Sequence, residues 1–498
     1  MLPIKPYQTR LKAAAALLVG ALLPLAFSPF HIYGFSVLCP ALLLALLLGA
    51  SPKQAFWRAF LFGMGFLGIG ISWVYISLHV YGQADGWIAG LLTALMIMVL
   101  SLYIAVPFYF FAKFFPKPLA SQSLLVFPTL WVITEGLRTW LLTGFPWLLL
   151  GNTQLYSPLA GLAPIIGVYG VSWVTAFVSA LLLLCWRQRQ KFSQVLGCIL
   201  ILVVVGVTSA QLKKIQWTKP AGATVQVSLV QGNIPQTLKW QPTQAQASLD
   251  LYQKLTLALP NQRIIVWPEA AITFWPDQIT DFLAKFNRML KDKHSTVLTG
   301  IPYMQKDQAY NALLAIGNGQ GVYLKRHLVP FGEFIPFRGL LVWLKDYVQI
   351  PMSDFASGPK HQPPIIANHI PIASFICYEI AYPWLVAQTA KQSQLLVTIS
   401  DDSWFGKSLA SAQHVEIAQM RALETGRYLL MSTNDALTAI INPQGHVSSF
   451  APPYETYVLN GTIQPMQGNT PWMRIGIYPL LLFTFIVLCW GWWRQKMT

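Results

Sequence analysis

Three short segments carry residues able to do chemistry together. Residues 263–271 read RIIVWPEAA, an apolar run ending at Pro268 and Glu269. Residues 321–334 read GVYLKRHLVPFGEF, with Lys325 closing a strand-like run and a Pro330–Gly332 turn before Glu333. Residues 372–380 read IASFICYEI, with Cys377 ending an apolar run and Tyr378 and Glu379 following. A thiol attacks only as its thiolate. A nearby carboxylate can take its proton, and a lysine can hold the oxyanion of a tetrahedral intermediate. Glu, Lys and Cys therefore suffice for acyl transfer through a thioester, with no metal or cofactor. Each residue alone is an ordinary strand-end residue. Spacing does not show that the three converge, but all three lie where α/β sheets place their sites.

The elements that must position them form an alternating pattern. Strand-like runs fall at 225–230, 263–267, 296–301, 311–316, 321–325, 371–377, 395–399, 428–433 and 438–441. Helix-like stretches fall at 243–259, 277–291, 381–392 and 411–426. This predicts a layered α/β domain over 218–470.

Around that section the chain is unlike a soluble protein. Its 498 residues are 54% hydrophobic and 10% charged, with a mean hydropathy of +0.48. A soluble domain carries about 25% charged residues. Residues 218–470 hold 18 Lys/Arg and 16 Asp/Glu, whereas the rest holds 16 Lys/Arg and only Asp85 and Glu135. The basic excess thus belongs to the most apolar part, which excludes a nucleic-acid footprint and points to membrane topology. Eight spans are expected, at 11–29, 34–50, 57–79, 87–112, 121–142, 162–186, 194–211 and 474–493. The expected divisions are a bundle at 1–217, the polar section at 218–470, and a last span with its tail at 471–498. Twelve Lys/Arg fall on one face of the spans, and the opposite loops at 30–33, 80–86 and 143–161 hold none. The positive-inside rule then puts both termini in the cytoplasm and 218–470 on the far side. The five cysteines include one in the polar section, Cys377, so no disulfide forms within it. No metal-ligand spacing occurs.

WPEAA, YLKRHLVPFGEFIP and the CYE at 377–379 resemble the signatures of the nitrilase, or carbon–nitrogen hydrolase, superfamily. With eight spans around such a domain, and with QGNIPQTLKW at 231–240 and SDDSWFG at 400–406, the whole chain resembles the bacterial apolipoprotein N-acyltransferase family. The resemblance implies an αββα sandwich joined to the membrane bundle, with Glu269, Lys325 and Cys377 as its triad. Glu333 then matches the family's second glutamate, and Tyr378 and Glu379 the pair flanking the nucleophile. It implies an acyl donor phospholipid, preferably phosphatidylethanolamine, and an acceptor with a diacylglyceryl-modified N-terminal cysteine. It also implies an inner membrane location with a periplasmic catalytic domain.

Several residues keep two readings. Glu333 orients Lys325 or stabilises a turn. Trp240 grips a lipid or packs structurally, and Trp404 and Phe405 invite the same pair. The apolar run 340–344 is a lid dipping into the bilayer or a core helix. Arg138, three residues from Glu135, meets a lipid phosphate or forms a structural pair. The rival activity is a membrane-anchored amidase that passes the same thioester to water.

Overall fold

The computed structural model describes residues 6–115, 120–330, 332–334, 339 and 354–497. The run 340–344 lies outside the described residues. The chain divides into two units. One comprises Met1–Tyr75, Ala89–Ile215 and Ile475–Thr498; the other comprises Ile76–Ile88 and Gln216–Arg474. The short segment Ile76–Ile88, expected within the bundle, groups with the polar section.

The first unit is helical: α1 (Pro6–Leu22), α2 (Gly34–Leu47), α3 (Pro52–Gly70), α4 (Gly86–Phe114), α5 (Ala120–Trp140), α6 (Ala163–Arg187), α7 (Phe192–Leu212) and, after the second unit, α12 (Tyr478–Met497). Helix α3 starts at a capping box in which Ser51 and Gln54 satisfy each other's backbone amides. It crosses α1 at Gly20 and Gly65, where a Cβ would meet a backbone oxygen at 2.0 and 2.1 Å. Only glycine permits that approach.

All eight expected spans fall on helical segments, but eight crossings are not confirmed. Among the described residues four stretches are long and apolar enough to cross a membrane: Thr9–Ala26, Gly86–Phe114, Pro158–Arg187 and Phe192–Leu212. A fifth arises if Pro52–Gly70 and Val74–Tyr81, bent by 60° at their junction, form one span. The physical reasons are local. The stretch 57–79 breaks after Gly70, and α2 has only 14 residues with Pro40 inside. Helix α5 is interrupted by polar side chains, and Gln122, Ser123, Thr129, Glu135 and Arg138 are all buried.

The second unit is built on two sheets. The first orders β12 (Tyr457–Ile463), β1 (Val225–Gln231), β2 (Arg263–Val266), β3 (Thr296–Gln305), β4 (Gln308–Gly317) and β5 (Val322–Leu324). The second orders β11 (Val447–Phe450), β10 (Ala439–Ile441), β9 (Leu429–Thr433), β8 (Leu395–Ser400), β7 (Ile370–Ile376), β6 (Ile365–Ala367) and the short strand Gly319–Gln320. Each sheet has a parallel centre, β1–β2–β3 in one and β7–β8–β9 in the other. Antiparallel strands complete the flanks. Helices α8 (Pro242–Leu257) and α9 (Thr280–Asp292) pack on the first sheet, and α10 (Pro383–Ala390) and α11 (Ala410–Thr425) on the second. The inner faces meet where β9 approaches β1 and where β4 approaches β7. The result is an αββα sandwich. Strand β8 is buried along its whole length, as parallel strands covered on both faces must be.

Candidate active site

The site forms where strands end. The chain leaves β2 at Val266 and runs through Trp267 and Pro268 to Glu269. Gly300 on β3 makes room for that turn, since a Cβ there would stand 2.7 Å from the Glu269 Cα. Lys325 follows β5, and its amide donates to the Asn311 carbonyl at 2.9 Å, extending the β4–β5 ladder by one rung. Cys377 follows β7, one residue beyond the strand rather than within it. Its φ of +54° is a left-handed value that a non-glycine residue holds only under constraint.

Three of these side chains and Glu333 come together as one buried cluster. Lys325 Nζ donates to Glu333 Oε1 at 2.8 Å and lies 3.2 Å from Glu269 Oε1. Asn311 Nδ2 donates to both carboxylates, at 2.7 Å to Glu269 and 2.8 Å to Glu333. The remaining oxygens are also held: Glu269 Oε2 accepts from the Asp401 amide at 3.0 Å, and Glu333 Oε2 from the Val329 amide at 2.8 Å. Burial alone would lower the Lys325 pKa, but Glu269, Glu333 and Cys377 outweigh it and raise it. Lys325 is therefore a fixed cation. Burial pushes the Cys377 thiol well up, Glu269 adds to the rise, and Lys325 opposes it. The resting state is a neutral thiol beside an ion pair, so the thiolate forms as its proton leaves.

Glu379 has a different task from the nucleophile it follows. Fully buried, it accepts from the amides of Ile376 (2.9 Å), Arg326 (2.7 Å) and His327 (3.1 Å), and from the Tyr323 hydroxyl at 2.9 Å. It thus ties the Cys377 turn to the end of the strand that presents Lys325. Tyr378 packs edge-on against Tyr382, whose ring stacks on His327 at 4.1 Å.

The expected lipid contacts lie in separate places. Trp240 sits on the turn after β1 and is 37% exposed. Trp404 lies in the turn Asp402–Phe405; its carbonyl accepts from the Ser77 hydroxyl at 2.8 Å and its ring meets Tyr81 edge-on at 6.0 Å. Arg138 belongs to the helical unit. It is buried, donates to the Leu148 carbonyl at 3.1 Å, and lies over the Phe66 ring. Its neighbour Glu135 accepts from the Leu150 amide at 2.7 Å and from Trp131 Nε1 at 3.1 Å. Both charges brace the irregular turn after α5.

Sequence reasoning missed three parts of the site. Lys239, beside Trp240, is buried and donates to Asp401 Oδ2 at 2.5 Å and to the Glu269 carbonyl at 3.0 Å. The signal was a single cation in the turn after an apolar strand. Asn311 is the second, a polar residue at a buried position of β4. The third is the set Ser400, Asp402 and His414 around Cys377, where Ser400 donates to Asp402 Oδ1 at 2.6 Å. Nothing in the spacing of these three residues announces it.

The family model described as carbon–nitrogen hydrolase matches residues 226–469, the stretch that forms this double-sheet sandwich. A second model, described as the apolipoprotein N-acyltransferase N-terminal domain, matches residues 19–181. The chain is 44% identical over 481 residues to the apolipoprotein N-acyltransferase of Coxiella burnetii, covering 96% of this chain and 99% of that one. It is 41% identical to that of Azotobacter vinelandii, over 97% of this chain and 95% of the relative. For the Pseudomonas aeruginosa protein the figures are 39%, 96% and 94%. The chain belongs to the apolipoprotein N-acyltransferase family.

Proposed function

We propose that this chain N-acylates lipoproteins, carrying the acyl group from a phospholipid on Cys377. One observation carries the reading: a charged Lys325 is held between Glu269 and Glu333 beside a buried thiol, in a chain whose near-full-length relatives bear the acyltransferase name. Glu269 takes the thiol proton, and the Cys377 sulfur attacks the sn-1 ester carbonyl of the phospholipid. Lys325 and the amide of Tyr378 stabilise the oxyanion. The ester C–O bond breaks, the lysophospholipid oxygen takes the proton from Glu269, and a thioester remains. The α-amine of the diacylglyceryl-modified cysteine then attacks the thioester, its proton passes to Glu269, and an amide forms as the thiol is restored. Glu333 and Asn311 keep Lys325 and Glu269 in register.

In this reading the donor is phosphatidylethanolamine, and Trp240 and Trp404 contact lipid. The bundle at 1–217 and the last helix cross the bacterial inner membrane eight times. The section 218–470 is periplasmic and both termini are cytoplasmic. The one-sided loop charge supports this orientation. A hydrolase that passes the thioester to water is the less supported alternative.

The test is intact mass analysis of the full chain given phosphatidylethanolamine alone. The expected result is one acyl adduct, absent from Cys377→Ala. A peptide with a diacylglyceryl-cysteine N-terminus should discharge it and gain an amide. Steady release of fatty acid without the peptide, and no amide, would replace transfer by hydrolysis.

A further inference from the structure

His414 has no part in the steps above, yet it is built into the nucleophile turn. It lies on α11, is 1% exposed, and faces oxygen on both sides. Its Nδ1 stands 3.1 Å from Asp402 Oδ1 and 3.3 Å from Oδ2, and its Nε2 stands 3.3 Å from the Cys377 carbonyl oxygen. A carbonyl only accepts, so Nε2 donates to the Cys377 oxygen while Asp402 holds the ring at Nδ1. Asp402 is itself buried and takes the Ser400 hydroxyl. The nucleophile is thus held at its carbonyl by one connected set of side chains.

We propose that His414, anchored by Asp402, is a positioning residue that aims the Cys377–Tyr378 peptide at the substrate's carbonyl oxygen and strengthens it as a donor. The inference rests on the acyl-transfer reading of Cys377. A peptide unit is planar and trans, so its C=O and N–H point in opposite directions. A donor holding the oxygen fixes that plane and draws density toward itself, leaving the N–H at Tyr378 more acidic and aimed away from the ring. The strained φ of Cys377 makes such a grip necessary, because an unheld peptide there would relax toward commoner angles. With Nε2 directed at the backbone carbonyl, the ring is not the base for the thiol.

The experiment separates oxyanion stabilisation from thiol activation. Full-length wild type, His414→Gln and His414→Leu are compared in two reactions. One is acyl-adduct formation from phosphatidylethanolamine; the other is alkylation of Cys377 by iodoacetamide, which needs the thiolate but builds no oxyanion. Loss of one oxyanion donor lowers rates about 10²–10³-fold, so His414→Leu should lower acylation about 10²-fold while changing alkylation less than about threefold. His414→Gln keeps a donor but loses the ring held by Asp402, so it should fall between, about tenfold below wild type. Unchanged acylation, or equal falls in both reactions, would overturn the proposal. If neither His414 variant folds, Asp402→Asn with His414 intact should give the same split at smaller amplitude, and a parallel loss there overturns it equally. Wild type that forms no adduct would instead overturn the reading of Cys377.

Discussion

The two units distribute polarity in opposite ways. In the helical unit the outer face of α7 is apolar: Leu196, Leu200 and Val204 are 54%, 62% and 54% exposed. Its interior holds polar groups bonded to one another, such as Gln154 to Ser36 at 3.0 Å and the Gly151 amide to Ser172 at 2.8 Å. In the layered unit the parallel strands are apolar and buried, while one cluster of buried charges gathers at strand ends around Cys377. Apolar outside and polar inside suits a hydrocarbon surrounding, where each backbone or side-chain donor must find a partner within the protein. In water the same inversion would be unstable. The layered unit has a water-facing pattern, so its buried charges stand out as costly, and such cost is retained where chemistry needs it.

The sharpest way to break that contrast is to remove a charge from the cluster. Glu269→Gln keeps size and loses the base, so adduct formation should fall about 10²–10⁴-fold. Lys325→Met should lower it about 10²–10³-fold, and it also leaves two carboxylates facing each other across Asn311. Near-wild-type rates of adduct formation in either variant would mean that the cluster is structural. A smaller effect, on stability, is expected from Lys239→Met. It strands Asp401 in a buried site, and breaking such a pair costs about 3–5 kcal/mol. Lys239→Met/Asp401→Asn should recover part of the loss in unfolding midpoint. Equal midpoints for single and double variants would show that the pair is uncoupled.

These variants also mark where sequence reading stops. Glu269, Lys325 and Cys377 each end an apolar run, but it was their resemblance to family signatures that singled them out together. Lys239 was hidden by its neighbour Trp240, whose exposed ring drew the lipid reading while the lysine turned inward. His414 was hidden by its helix. Helix α11 carries His414, Glu416, Arg421 and Glu424 and is buried all round, so its polar residues do not mark a solvent face. The layered α/β architecture followed from alternation, but β6, β11 and β12 did not. Each is short or interrupted, as by Asn460 and Gly461, and is fixed by its partner strand instead. The eight apolar runs were legible as helices. The 60° bend after Gly70 was not, because the run stays apolar through it.

A pH-dependent test touches the same acidic side of the site. Burial and nearby Asp401 raise Asp435 to about 6 from 3.8. The folded state therefore favours the protonated acid, and that stabilisation, complete below the ordinary carboxylate range, is lost as pH rises through about 6. Asp435→Asn should then raise the unfolding free energy near neutral pH, by about 2 kcal/mol, and give no gain at about pH 4. A gain independent of pH would assign the effect to shape rather than charge.

The smallest expected effect is the one that tests the comparison most directly. The same substitution is made in both units, Leu200→Ala on α7 and Leu396→Ala on β8. Leu396 is fully buried, so truncation opens a cavity among packed strands and should cost about 2–5 kcal/mol. Leu200 is 62% exposed, and its surroundings are lipid or detergent tails in this reading. Truncating it leaves no cavity, because mobile chains fill the space, and hydrocarbon gives no hydrophobic drive to lose. The unfolding midpoint of the full chain in detergent should stay within the scatter of a surface change, about 0.5 kcal/mol. A loss at Leu200 comparable to that at Leu396 would mean that protein, not lipid, covers the outer face of α7, and the inversion between the units would no longer hold.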